Sequence, residues 1–304
     1  MTDPHSGWID PNPPDAVDAK TPVVLAVSAI VLTAVVVATL IGVVLRATDD
    51  EAGETVGVVA LLPANVPADG SFGRSVVTVP VVISHQAASA AADLFAQLPV
   101  RADRGVRLVS GRQRGIYGAT GETPSCDVVT LANDLDADPA LARIWGLALG
   151  LTPQQIPYYL NSLTAVVLLA DTWVTTHALR DGAAHAEQAV LQAGNSILVD
   201  PVGVPRVHCA SAAPLVPPAP GSLARYGVHG DRWPGFAAAR VVAVDYAGID
   251  AAPGAGDFTV VDIDTGQEIT TKSGGAIDLR GASVPLPDPA VMNIPPDHAE
   301  SGDR

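Results

Sequence analysis

The chain has 304 residues, 48% of them apolar and 16% charged, and a formal net charge of −15 at pH 7. Because this apolar fraction can fill a sizeable core, a chain that is disordered throughout is excluded. A surface this acidic repels phosphate groups, so nucleic acid is not expected among its partners.

The N-terminal part is dominated by an apolar run from Pro22 to Leu45 that contains no charged residue. As a helix this run would be about 36 Å long, enough to cross a hydrocarbon layer of about 30 Å. It is about twice as long as the apolar core of an ordinary signal peptide, which favours an uncleaved signal anchor. We therefore predict a disordered cytosolic tail at 1–21, a transmembrane helix at 22–45 and an acidic tether at 46–54.

The orientation of this anchor is not set by its flanking basic residues. Lys20 precedes the run and Arg46 follows it, so the positive-inside comparison nearly ties. The acidic residues Asp49, Asp50 and Glu51, and the position of both cysteines in the large C-terminal part, favour an extracytoplasmic location for that part. The expected contact with the lipid bilayer is thus made by one helix.

The two cysteines are Cys126 and Cys209, too few and too distant in sequence for a zinc site, which needs four ligands. Two alternatives follow from the compartment. In an exported domain they would form a disulfide that contributes about 4 kcal/mol, and in the cytosol they would be small buried thiols. The extracytoplasmic prediction favours the disulfide.

Residues 55–110 are predicted to form a small β-α subdomain. Val56–Leu62 and Val76–Ile83 have the composition of strands, and Ala87–Leu98 has helical spacing. The basic stretch Arg101–Arg114 follows. It is interpreted as a solvated linker rather than a contact for acidic polymers or lipid headgroups, because no aromatic residues are interleaved with its arginines.

Residues 111–280 are predicted to form an α+β domain that begins with a cluster of three helices between Ser125 and Leu163. Ser125 is a candidate N-cap for the first helix, and Asp138 followed by a proline begins the second. Thr152 and Gln155 have the spacing of a capping box for the third.

Beyond the helices the apolar period changes to that of strands, which predicts an antiparallel sheet. The turn residues of 200–203 predict a hairpin between two of the strands, and those of 264–266 predict another. Residues 210–235 are rich in proline and are predicted to be a long connection, and 281–304 a disordered tail. The predicted strands are Ala165–Leu169, Thr172–His177, Gln188–Gln192, Ser196–Val199, Val204–His208, Arg240–Asp245, Phe258–Ile263 and Gln267–Lys272.

Several blocks together resemble an actinobacterial family of membrane-anchored proteins whose shared domain has no assigned function. The resemblance implies an N-terminal anchor, an exported domain and an envelope location, and it carries no catalytic residues. The chain departs from the family pattern at Thr176, where Asn is usual, and at 210–212, where a second cysteine is common. The blocks are Gly115–Thr120, Cys126–Asp127, Tyr158–Asp171, Val174–His177, Gln188–Gly194, Val204–Cys209 and Trp233–Phe236.

A speculative polar site consists of Asp171, His177 and His208, near His185 and Ser211. A Ser-His-Asp hydrolase could be drawn from these residues, but no Gly-x-Ser-x-Gly elbow accompanies them. The preferred interpretation is structural, with the carboxylate capping a strand end and the histidine satisfying a buried hydrogen bond.

Two functions of different classes remain. The first is a membrane-anchored extracytoplasmic envelope protein that binds another envelope protein or the cell wall without catalysis. The second is a membrane-anchored hydrolase or cell-wall enzyme. No cofactor or metal is expected in either case, and a deep cleft beside His177 would favour the enzyme.

Overall fold

The computed structural model describes residues 55–121, 123–245, 256–288 and 292. The predicted cytosolic tail, transmembrane helix and tether at 1–21, 22–45 and 46–54 lie outside this part. None of the helices within the described ranges has both the length and the apolar composition that a membrane span requires.

Four α-helices are present in the described residues, and three of them form the cluster that the sequence predicts. Asp127, not Ser125, caps the first helix of the cluster, and its side chain accepts a hydrogen bond from the Thr130 N–H. Asp138 caps the next helix, and the capping box of Thr152 and Gln155 is present. The helices are α1 (His85–Ala96), α2 (Val128–Ala137), α3 (Pro139–Leu147) and α4 (Ile156–Ser162).

The fourteen described strands belong to one mixed sheet. They are β1 (Gly57–Leu62), β2 (Val100–Arg101), β3 (Val106–Ser110), β4 (Tyr117–Ala119), β5 (Thr164–Leu168), β6 (Thr172–Arg180), β7 (Ala183–Leu191), β8 (Ser196–Val199), β9 (Pro205–His208), β10 (Ala213–Val216), β11 (Tyr226–His229), β12 (Val242–Asp245), β13 (Phe258–Asp262) and β14 (Glu268–Thr271).

This sheet corrects the predicted fold class, in which a small β-α subdomain preceded a separate antiparallel sheet. The main strand order is β11-β1-β7-β6-β10-β9-β8-β5-β4-β13-β14, and β3 and β12 join it through β6. Strand β1 pairs in parallel with both β7 and β11, and β3 pairs in parallel with β12. The prediction was wrong because strands from the N-terminal stretch find their partners more than a hundred residues later in the chain.

The local predictions differ in outcome. The predicted hairpin at 200–203 is confirmed, since β8 and β9 pair antiparallel and the Gly203 N–H donates to the Asp200 carbonyl at 2.8 Å. Residues 76–83 form no strand and contribute only an isolated bridge between Val77 and Cys126. The predicted connection at 210–235 contains β10 and β11.

The basic stretch is part of the sheet and not a linker, because it contains β2 and β3. Its arginine side chains contact the domain itself, which explains their number without an acidic ligand. The contacts are Arg101 with Asp103, Arg104 over the Trp173 ring, Arg107 with the Leu98 carbonyl, Arg112 over the Phe258 ring and Arg114 with Glu268.

Buried apolar side chains form three clusters around the sheet. Helices α2, α3 and α4 pack on one cluster, in which Trp145 and Leu160 are completely buried. A second lies between α1 and the β4–β5 region, and a third surrounds Trp173 near the end of the sheet that β11 forms. Since every cluster has sheet residues on one side, the fold is stabilised mainly by burial against the sheet.

Candidate functional site

Cys126 and Cys209 form a disulfide, with Cα atoms 6.0 Å apart and both side chains buried. Of the two alternatives left by the sequence, the disulfide is therefore the one found. The bond joins the chain just before α2 to the end of β9. Val76 bridges the same two segments, since its N–H donates to the Cys209 carbonyl and its carbonyl accepts from the Asp127 N–H.

A groove with a volume of about 430 Å³ lies on the outer side of this disulfide. Three stretches of chain and Thr78 line it, and among the described residues none of the lining side chains is aromatic. The stretches are 119–129 without 122, Leu163–Ala165, and the four residues Thr271, Lys272, Gly274 and Ala276.

The groove combines small polar groups with exposed apolar side chains, of which Val129 is the largest. Val129 in the first turn of α2 lines the groove and is 43% exposed, although its neighbour Val128 is buried. An exposed branched side chain in a concave surface can anchor a partner. The lining hydroxyl groups belong to Thr78, Thr120, Thr123, Ser125, Thr164 and Thr271.

Only two charged side chains line the described part of the groove, Asp127 and Lys272. The Thr130 hydroxyl and backbone N–H donate to Asp127 at 2.6 and 2.9 Å, and these hydrogen bonds hold the pKa of Asp127 below its usual value. Lys272 is exposed and forms no ion pair with a described carboxylate. One fixed negative charge and one exposed positive charge nearly cancel, so the groove does not select strongly for a charged ligand.

Asp171, the first residue of the predicted polar site, lies in the turn between β5 and β6. Its carboxylate accepts hydrogen bonds from the Ala193 N–H and the Trp233 Nε1–H, both at 3.0 Å. Partial burial raises the pKa of Asp171, and the two hydrogen bonds oppose that rise. This carboxylate ties two loops to the sheet, which is a structural role.

His177, the second residue, lies in β6 and is buried. Its Nδ1 donates to the Pro214 carbonyl at 3.0 Å. Burial lowers the pKa of His177, while this hydrogen bond and Glu187 act in the opposite direction. Neither of the two cavities described for this fold is lined by His177.

His208, the third residue, is fully buried in a relay of neutral groups. The Ser211 hydroxyl lies 3.1 Å from Nδ1, and the Asn195 side-chain oxygen lies 2.9 Å from Nε2. Because that oxygen also accepts from the Asn65 N–H, Nε2 must carry the proton and the serine hydroxyl must donate to Nδ1. Burial lowers the pKa of His208 to about 4, so the imidazole is neutral at pH 7.

This relay holds the loop after β1 against the sheet. The Ser211 oxygen accepts from the Ala68 N–H at 2.8 Å, and the side chain of Asn65 accepts from the Ser196 N–H at 2.8 Å. Asn195 donates to the carbonyls of Leu62 and Gln192. Every donor and acceptor of the relay therefore already has a partner inside the protein.

The structure does not assemble the predicted polar site. No hydrogen bond or ion pair in the described part of the chain joins Asp171, His177 and His208 to one another. Ser211 and His208 are in contact, but both are completely buried and no carboxylate orients the histidine. A hydrolase needs a nucleophile that substrate can reach, and this serine does not provide one.

Sequence reasoning missed a buried ion pair at the tip of the β8–β9 hairpin. Asp200 contacts the Arg206 Nε at 2.8 Å, and its other oxygen accepts from the backbone N–H groups of Val202 and Val204. The Arg206 Nη1 also donates to the Met292 carbonyl at 3.0 Å. The available signal was an arginine in a short predicted strand that follows a turn beginning with aspartate.

A second cavity, of about 470 Å³, lies beside this ion pair. Its walls include Tyr159 and Asp200 on one side and the C-terminal stretch 286–288 with Met292 on the other. The Gln155 side chain donates to the Pro285 carbonyl, so part of the predicted C-terminal tail packs against the domain. Residues 281–288 contain no helix or strand.

Comparison with known proteins gives a family for this fold. Residues 107–274, more than half of the chain, match the model of a family described as "Domain of unknown function (DUF6777)". No curated protein and no solved structure matches the chain.

Proposed function

This chain belongs to the DUF6777 family, whose domain has no assigned function, and we propose that its described part is an extracytoplasmic, non-enzymatic binding domain. The partner we propose is an extended polypeptide segment of another envelope protein. The observation that carries the proposal is the groove beside the Cys126–Cys209 disulfide, with Val129 exposed in it.

The location outside the cytosol is supported by the disulfide. Disulfides persist in oxidising compartments, whereas cytosolic reductants keep most thiols reduced. A bond between residues 83 positions apart also reduces the conformational entropy of the unfolded chain, and it thereby stabilises the folded domain. The predicted anchor at 22–45 lies outside the described part, so within that part the proposed location rests on the disulfide.

A polypeptide partner is favoured over a glycan by the lining of the groove. Sugar sites commonly use aromatic rings as stacking surfaces, and no aromatic side chain lines the described groove. The hydroxyls of Thr78, Thr120 and Ser125 already donate to carbonyls of the domain. The exposed Thr123 hydroxyl and backbone groups of the groove can bond the main chain of an extended segment. Val129 supplies an apolar contact for one of its side chains.

Binding is favoured over hydrolysis by the use of the polar residues in the interior. Asp171, His177 and His208 each hold a loop or strand through hydrogen bonds to neutral groups. The pKa of His208, about 4, would also make it a poor general base at neutral pH.

A matched pair of substitutions tests this proposal. Val129→Glu places a charge in the groove, and Leu147→Glu places the same charge on α3, where Leu147 is 71% exposed and does not line the groove. Both residues are exposed, so each variant should keep its free energy of unfolding within about 0.5 kcal/mol. Partners that co-purify with the full-length protein from its own cells are then quantified by mass spectrometry.

We expect Val129→Glu to lose the co-purifying partner by at least tenfold, because a charge must be desolvated in the apolar contact. Leu147→Glu should retain the partner at the level of the unchanged protein. Equal capture by both variants would show that the groove does not bind the partner.

A further inference from the structure

The strand β11 is a four-residue strand that forms one edge of the sheet. It pairs only with β1 among the described strands, and it contains no proline, lysine or acidic residue. The opposite edge, β14, contains the acidic residue Glu268 within the strand. Charges on an edge strand prevent unwanted pairing, whereas an edge without them is available to another strand.

The backbone of β11 has hydrogen-bonding groups that face away from β1. The Gln192 N–H donates to the Leu62 carbonyl at 3.0 Å, so Leu62 faces β7. The backbone N–H and carbonyl groups of successive β1 residues point alternately to β7 and to β11, and those of Val59 therefore point to β11. Val59 is in register with Val228. In a parallel pair a residue bonds to the two residues that flank its partner, so the N–H and carbonyl of Val228 point to the open edge.

The side chain of Val228 lies at the margin of the apolar cluster around Trp173. Val59, its partner in register, is 1% exposed and belongs to this cluster, whereas Val228 is 39% exposed. Val58, on the other face of β1, is 60% exposed. A strand added at this edge would cover Val228 and extend the cluster.

The charges that flank β11 are complementary to those of a second copy. Arg225 lies three residues before Val228 and Asp231 lies three residues after it, and both are exposed. Neither forms an ion pair within the described part of the chain. An antiparallel pair of β11 strands centred on Val228 would place each Arg225 opposite the Asp231 of the second copy.

From the open backbone groups, the apolar margin and these charges together, we propose that two copies of this chain associate through β11 in a symmetric, antiparallel pair centred on Val228. The contact is isologous, because the same strand serves both copies. It lies outside the groove, since no β11 residue lines that groove, and it does not depend on the proposed binding function.

Cross-linking of the full-length protein tests the register. The chain contains only two cysteines, which are bonded to each other, so Val228→Cys introduces a single thiol. At the centre of the pair the two Cα atoms would be about 5.5 Å apart, within the range of about 4.4–6.8 Å that a disulfide spans. We expect mild oxidation to convert most of this variant to a covalent dimer, detected by non-reducing electrophoresis.

His229→Cys is the matched control. In the proposed register it faces residue 227 of the second copy, so the two introduced thiols are offset by two residues along the strands and their Cα atoms lie about 8 Å apart. This distance is too long for a disulfide, and little dimer should form. Equal cross-linking of the two variants would reflect random collision and would overturn the register.

Charge exchange tests the association without a covalent bond. Arg225→Asp or Asp231→Arg alone would place like charges opposite each other twice, which should raise the dimer dissociation constant about tenfold. The double variant restores both pairs and should restore the dissociation constant, measured by analytical ultracentrifugation. A full-length protein that remains monomeric at all concentrations, or a double variant no better than the single ones, would refute the proposal.

Discussion

The interior beside the disulfide and the groove on its outer side contain similar polar groups but use them differently. In the interior, His208, Ser211 and Asn195 are completely buried and hydrogen-bonded to each other and to the backbone. In the groove, Ser125 and Thr164 are also buried and hydrogen-bonded, but Thr123 and Val129 are exposed. The most reactive of these side chains are thus used for structure. The surface available for function is built from small, unreactive side chains.

The largest expected effect comes from the disulfide, which joins these two regions. Replacing Cys126 and Cys209 together by alanine should lower the free energy of unfolding by about 4 kcal/mol, because the unfolded chain regains the freedom of a long loop. Urea unfolding followed by circular dichroism measures this change. The reduced, unsubstituted protein serves as the control and should show a similar loss.

A loss below about 1 kcal/mol would mean that the bond contributes little to the fold. The role of the disulfide in holding the groove beside the interior relay would then have to be abandoned.

A smaller effect is expected from pH, through His208. Burial lowers its pKa from 6.5 to about 4. As the pH falls below 7, the histidine therefore becomes protonated in the unfolded chain before it does so in the folded one. Stability therefore decreases with falling pH, by on the order of 2 kcal/mol between pH 7 and pH 5. Denaturant unfolding at several pH values would measure the slope.

The His208→Asn variant isolates this contribution. It should be less stable at pH 7, because the relay is interrupted, but its stability should decrease less between pH 7 and pH 5. Burial also lowers the pKa of His177, which remains in the variant, so the difference between the two slopes belongs to His208. Identical slopes would contradict the neutral, buried relay.

The sequence predicted the elements that depend on neighbouring residues. The three helices and the β8–β9 hairpin were recognised because their caps and turns are encoded within a few positions, as at Asp138 and in the stretch 200–203. Period alone located most of the later strands. The sequence therefore predicted the elements whose signals lie within a few neighbouring residues.

The pairing of distant strands could not be predicted. Nothing in Gly57–Leu62 specifies that it pairs in parallel with β7 and β11, since any apolar strand of similar length could take that place. Strand β10 was missed because it contains Pro214, and proline usually argues against a strand. The Pro214 carbonyl accepts a hydrogen bond from the His177 ring, and only the folded chain provides this contact.

The candidate site could be predicted only in part. The structural interpretation of Asp171 and His177 followed from the absence of a nucleophile elbow, which is a sequence property. The groove could not be found in the same way, because its lining comes from stretches near residues 78, 119–129, 163–165 and 271–276. Val129 differs from the buried Val128 only in which side of α2 it occupies.

The most direct test compares a variant of the groove with a variant of the interior relay in one assay. Ser211→Ala removes the hydroxyl that donates to His208, and Val129→Glu alters the groove. Both full-length variants are expressed in place of the natural protein, and the co-purifying partner is quantified. A binding domain predicts that Ser211→Ala keeps the partner while Val129→Glu loses it. Loss of the partner from a folded Ser211→Ala variant, with Val129→Glu unaffected, would contradict the account.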